Sequence, residues 1–163
     1  MKRLLLIAAL ASLAPAGLAP AADEAKAKGD PVEYQVYNGY FESNKSGLKG
    51  DASFLAFTDA KAFDRVFGKA VVMGKKPTFL PKDAFASKLV VAAIKRGGDI
   101  WQYKVEKVTA DDGTLVVRYE ATAKDGGGAT FASPLIVAVD KGKYSAVEFV
   151  ENGKNVGKAA IAQ

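Results

Sequence analysis

The chain has 163 residues, a formal net charge of +5, and neither histidine nor cysteine. Ser-His-Asp and Cys-His hydrolases, thiol redox centres, zinc sites built on His or Cys and ordinary haem ligation each lose an essential side chain. Disulfides are excluded too, so stability must come from burying the 49% of the sequence that is apolar.

Met1, Lys2 and Arg3 precede an apolar run from Leu4 to Leu10, and small residues close at Ala19-Pro20-Ala21. This is the three-part pattern of an export signal with an Ala-x-Ala cleavage site, so residues 1–21 read as a signal cut at the Ala21–Ala22 bond. Pro15, Gly17 and Pro20 interrupt a run already short for a bilayer, and no later stretch reaches a membrane-spanning length. The expected location is the periplasm or the outside of the cell, with no membrane span left after cleavage. Loss of Lys2 and Arg3 lowers the net charge from +5 to +3. The remaining lysines alternate with Asp and Glu, a solvated mixed surface that predicts no nucleic-acid partner.

Residues 22–31 are polar, small and unpatterned, which predicts a disordered leader and a single domain over 32–163. From 32 to 41 the run VEYQVYNGYF alternates Val32, Tyr34 and Val36 with Glu33, Gln35 and Tyr37, a period of two that predicts one strand bent or bulged at Gly39. Residues 43–50 are turn-rich, and 52–57 return as a second strand. Thr58-Asp59 then offers a helix cap, with Ala60, Phe63, Val66 and Phe67 at helical spacing and Gly68 as a stop. Lys61, Asp64 and Arg65 mark its outer face, so Phe63 and Phe67 should pack on a sheet. Gly74, Pro77 and Pro81 break residues 69–87 into a crossing segment with one helical turn after Pro81.

From Lys88 onward strands and turns alternate: LVVAAIK, DIWQYKVEKV, TLVVRYEAT, TFASPLIVAV, YSAVEFVE and NVGKAAIA. Their order predicts a serial antiparallel meander. Trp101, Tyr103 and Val105 share one face, as do Leu115, Val117 and Tyr119, and Val147 and Phe149; these faces should build the core, with the lone Trp101 buried in it. Pro134 cannot donate to a ladder and so starts, bulges or edges its strand. Asn152-Gly153 fits a two-residue hairpin turn. The fold class is therefore α+β, mainly antiparallel β: a sandwich or half-open barrel with one short helix packed on it.

Catalytic motifs are weak. Ser87 and Lys88 are neighbours, but adjacent strand residues face opposite ways and a Ser/Lys dyad needs a lysine with a lowered pKa. Asp111-Asp112-Gly113 lacks the spacing and terminal Glu of a calcium loop and reads as a turn. Gly126-Gly127-Gly128 is not followed by a helix-opening Lys-Ser/Thr, so it is no phosphate cradle. Carboxylates distant in sequence could still meet in space, which keeps a His- and Cys-independent enzyme as the rival reading. No catalytic residue, metal ligand or cofactor is predicted.

Gly97-Gly98 leading into Trp101, Tyr103 and Val105, then Leu115-Val116-Val117, Ser133-Pro134-Leu135-Ile136-Val137 and Val147-Glu148-Phe149, resembles the C-terminal domain of the protease complex subunit PrcB family across residues 87–150. The resemblance implies a small β-rich exported domain that acts as a non-catalytic partner of a secreted protease. The family's Thr-Gly-Gly-Tyr is altered here, with Arg96 before the glycines and Asp99 and Ile100 before the aromatic. A second resemblance, of Gly126-Gly127-Gly128 with Phe131 to the chagasin-like peptidase inhibitors, lacks that family's other two loops. The expected activity is an accessory or binding module with a protein partner. The expected contact residues are Arg96, Gly97, Gly98 and Asp99, the glycines Gly126, Gly127 and Gly128, and the strand edge at Pro134, where a partner could add a strand.

Overall fold

The computed structural model describes residues 29–70 and 76–162; the predicted signal, leader residues 22–28 and the 71–75 stretch holding Gly74 lie outside them. The first half of the described chain forms β1 (Asp30–Pro31), β2 (Tyr34–Tyr37), β3 (Tyr40–Glu42), β4 (Ala52–Phe57), α1 (Ala60–Val66) and β5 (Phe67–Lys69). It continues with α2 (Ala84–Ser87), β6 (Lys88–Gly97), β7 (Asp99–Asp111), β8 (Thr114–Asp125), β9 (Phe131–Asp140), β10 (Ala146–Glu151) and β11 (Lys154–Ala160). No described helix is long and apolar enough to cross a membrane.

Two consecutive apolar runs decide the architecture. Leu89 through Ile94 in β6 and Leu135 through Val139 in β9 are each no more than 3% exposed, although successive strand residues point to opposite faces. Strands apolar on both faces must be covered on both. They form the centre of a four-stranded sheet ordered β2-β9-β6-β4. Leu89, Val91, Ala93, Leu135, Val137 and Val139 face a five-stranded sheet ordered β1-β7-β8-β10-β11 and meet Leu115, Val117, Tyr119, Val147 and Phe149 there. Val90, Ala92, Ile94, Ile136 and Ala138 face the other way, toward α1, α2 and the β3–β5 pair. The expected sheet sandwich with a packed helix is thus the observed fold, as a two-sheet stack with a helical cap.

Asp59 caps α1 through Oδ1, which accepts from the Ala62 N–H at 2.9 Å. Phe63 lands 2% exposed within 4.9 to 5.7 Å, ring to ring, of Tyr40, Phe57, Phe67 and Phe85. Gly68 is not the stop expected of it. Phe67 is extended and leads straight into β5, whose Gly68 lies under the Phe41 ring, where an added Cβ would come within 2.6 Å. The residue is small for packing, not for a left-handed turn.

Three further expectations are corrected. Asp30 and Pro31, expected in the leader, form β1 and pair with Ala110 and Thr109. The single strand over 32–41 is two strands in different sheets, parted at Asn38-Gly39; Tyr37 is buried under the cap, while Val36, on the opposite face of this edge strand, is exposed. The tail is not a serial meander either. β10 runs parallel to β8, with Val147 opposite Leu115, while β9 joins the central sheet. Its two apolar faces account for that departure, since the outer sheet could cover only one of them. The hairpin turns do stand where expected: Asp112-Gly113 and Asn152-Gly153 both take positive φ at each residue, as type I′ turns require.

Truncation of the ring at the centre of the cap tests this arrangement. Phe63→Ala should lower the unfolding free energy by about 3–5 kcal/mol, measured as a drop in the urea midpoint without loss of the strand signal in circular dichroism.

Candidate functional site

β6 leaves the central sheet at Gly97, where φ is 141°, and after Gly98 the chain enters the outer sheet as β7. Its partner makes the same passage in reverse, from β8 through residues 126–130 into β9. Gly97 stands opposite Phe131 and Asp99 opposite Asp125, so the two predicted turns are the two sides of one bent ribbon. The Gly126 N–H donates to the Gly98 carbonyl at 3.1 Å. An added Cβ on Gly126 would strike that carbonyl and the Phe131 ring, which leaves glycine as the residue that fits. The structure therefore brings together Gly97, Gly98, Asp99, Gly126, Gly127 and Gly128. Pro134 lies a little way into β9, opposite Ile94 and past the end of β2, which pairs only from Ile136 onward. That half of β9 is an edge, where a missing N–H is tolerated.

Arg96 belongs to the scaffold. Its Nε and Nη2 fork onto Glu42 Oε2 and Oε1 at 2.7 and 2.8 Å, and Nη1 donates to the Gly50 carbonyl and Ser53 Oγ at 3.1 and 3.0 Å. With these donors engaged within the chain, the guanidinium is a clip between β6, β3 and the 43–53 segment, while the residue also lines the groove over β3. Burial pushes the Glu42 carboxyl up, but hydrogen bonds from Arg96 and Ser46 outweigh it and hold the group below the usual carboxylate value.

Two grooves open beside the ribbon. One, of about 290 Å³, runs between β7 and the β2–β3 segment and is lined by Val36, Tyr37, Ile100, Trp101, Phe131 and Pro134 among others. The other, of about 590 Å³, lies over β3 and the 43–49 turn and includes Phe41, Leu48, Arg96 and again Phe131. Val36, Phe41 and Ile100, 39 to 46% exposed, line these grooves; Val156 on β11 is the other large apolar side chain exposed among the described residues.

Trp101 is half-buried, neither sealed in the core nor free. It packs on the inter-sheet core, and its ring covers Lys95 Nζ at 3.3 Å from the centroid, while Lys95 pairs with Glu151 Oε1 at 2.6 Å. Ser133 accepts at Oγ from the Trp101 N–H at 3.1 Å and at its carbonyl from Tyr103 Oη at 2.8 Å. Burial first, and then the charge of Glu151, pushes the hydroxyls of Tyr103 and Tyr119 well up, so both stay protonated. Lys95, Glu151 and Glu42 were not singled out in the sequence. A signal existed for Lys95, which continues the Leu89, Val91, Ala93 alternation and so had to sit between the sheets.

The other chemistries are placed as follows. Lys88 Nζ donates to Asp140 at 2.8 Å and this bond raises its pKa, the opposite of what a Ser87-directed base needs. Asp112-Gly113 is a hairpin turn, and the 126–128 glycines lead into a strand. Among the described residues no three acidic groups cluster as metal ligands would.

Removing the clip leaves Glu42, whose side chain is 7% exposed, without its counter-charge. Arg96→Ala should cost about 3–5 kcal/mol of stability, read from chemical denaturation, with Arg96→Lys in between because a single ammonium cannot fork. Glu42 has its folded pKa below its unfolded one, so its contribution is present above pH 4.5 and is lost as pH falls through the folded value. Glu42→Gln should flatten that acid limb in a pH series of melting temperatures.

Comparison with protein-family models, with curated proteins and with solved structures gives no match to this chain.

Proposed function

We propose that this chain is an exported, non-catalytic binding module whose partner is a protein, in the manner of an accessory subunit of a secreted protease. The observation that carries the reading is the gathering of Val36, Phe41 and Ile100 around two adjoining grooves at the glycine-built corner of the ribbon. Exposed apolar side chains are ordinary when scattered; grouped on a framed surface they mark a place where another protein docks. The export pattern at residues 1–21 supports the compartment, and the likeness of residues 87–150 to PrcB supports the accessory role. The missing imidazole and thiol groups support the non-catalytic part, because the remaining lysine and tyrosine groups at the corner are paired or held protonated.

The test is cross-linking in the native cell followed by recovery of the tagged chain. A Phe41→Arg, Ile100→Asp double variant should lose at least about tenfold of its cross-linked partner, as loss of two apolar anchors predicts, while Val156→Asp on β11 should behave as wild type. Equal recovery by all three forms would overturn the reading. Purified chain added to papain separates the peptidase-inhibitor alternative: no slowing of peptide hydrolysis is expected, and stoichiometric inhibition would favour the chagasin-like reading.

A further inference from the structure

β7 is 13 residues long, yet β1 pairs with it only at Thr109 and Ala110. Among the described strands, none lies on that side of Asp99 through Val105. Two contacts show which backbone groups face this open edge: the Trp101 N–H reaches Ser133 Oγ, and the Val105 carbonyl accepts from Tyr34 Oη at 3.3 Å. In an antiparallel ladder the N–H and C=O of one residue point the same way and alternate along the strand. Asp99, Trp101, Tyr103 and Val105 thus turn their peptide groups to this side; Ser133 and Tyr34 already hold the Trp101 N–H and the Val105 carbonyl, which leaves Tyr103 in the middle as the main pairing residue. The 290 Å³ groove runs along this edge. The edge near Pro134 is a poorer template, because Pro134 has no N–H to donate.

At the start of β7, next in the chain to the groove-lining Ile100, two like charges meet. Asp99 and Asp125 stand directly opposite each other across the β7–β8 pair, and both are exposed. Like charges in facing positions repel. Neither pairs with a cationic side chain among the described residues, and the Asp125 carboxylate accepts from the nearby Gly127 N–H at 2.8 Å. A cation supplied from outside would relieve them.

Resting on the docking reading above, we propose that an extended segment of the partner polypeptide adds as a strand to the open edge of β7 from Asp99 to Val105. Its apolar side chains lie over Ile100, Trp101 and Phe131, and a lysine or arginine at one end sits over Asp99 and Asp125. Backbone pairing supplies the register; the groove and the two carboxylates select the sequence.

Trp101 is the sole tryptophan and lines the groove, so its emission reports occupancy. The probes are nine-residue peptides of alternating valine and threonine with a lysine at one end, titrated into the purified chain. Saturable change in Trp101 emission is expected. Peptides N-methylated at alternate amides, made in both registers, should bind at least about tenfold more weakly in the register that faces β7. Replacing the terminal lysine by glutamate should weaken binding by about threefold, and Asp99→Lys should remove that preference, because the new ammonium offsets Asp125. Equal binding of the methylated and unmethylated peptides, or no change of emission with any peptide, would overturn strand addition. If the peptides fail while the Phe41→Arg, Ile100→Asp variant still loses its partner in the cell, docking stands and only the strand-addition mode falls.

Discussion

A four-stranded sheet that is apolar on both faces governs this molecule. Burying one Val, Leu or Ile side chain stabilises a fold by about 1.5–3 kcal/mol, and β6 and β9 place a continuous run of such residues at the centre of the sheet. One cover cannot satisfy both faces. The outer five-stranded sheet covers one, and the Phe63-centred cap of two short helices and the β3–β5 pair covers the other. The same demand draws β9 out of the outer sheet, so that β10 finds β8 as a parallel neighbour.

The bent ribbon follows from this layering. β6 and β9 belong to the inner sheet, while their continuations β7 and β8 belong to the outer one, so both chains must turn at the same place. Gly97 supplies the conformation and Gly126 the close approach. Arg96, forked on Glu42, ties the turn to β3 and to the segment before β4. Lys95, Glu151 and the Trp101 ring close the polar end of the inter-sheet core beside it. A rigid frame with exposed apolar residues along its open side is the arrangement expected of a docking surface.

The titratable groups inside the corner are engaged by one another. Tyr103 and Tyr119 are kept neutral by burial and by the nearby Glu151, and Lys95 is paired and covered. What faces an outside molecule is the Tyr103 backbone on the β7 edge, apolar surface at Val36, Phe41 and Ile100, and the exposed carboxylates of Asp99 and Asp125.

Much of the local structure was legible in the residues themselves. Asp59 with Phe63 and Val66 specified α1, and Asp112-Gly113 and Asn152-Gly153 specified their turns, because caps and turns are set by groups a few residues apart. The glycines of the candidate site were legible for the same reason. The Arg96 clip was not legible, because its partner Glu42 is 54 residues away and no local signal joins them. Gly68 was read as a helix stop although the Phe41 ring across the β3–β5 pair requires it. The sequence by itself determined the composition of each strand, the start of the helix and the places where the chain turns. Which strands became neighbours, which faces were inside and which edge was left open were decided only in the tertiary structure, since a strand's partner is chosen by burying surface contributed from distant parts of the chain.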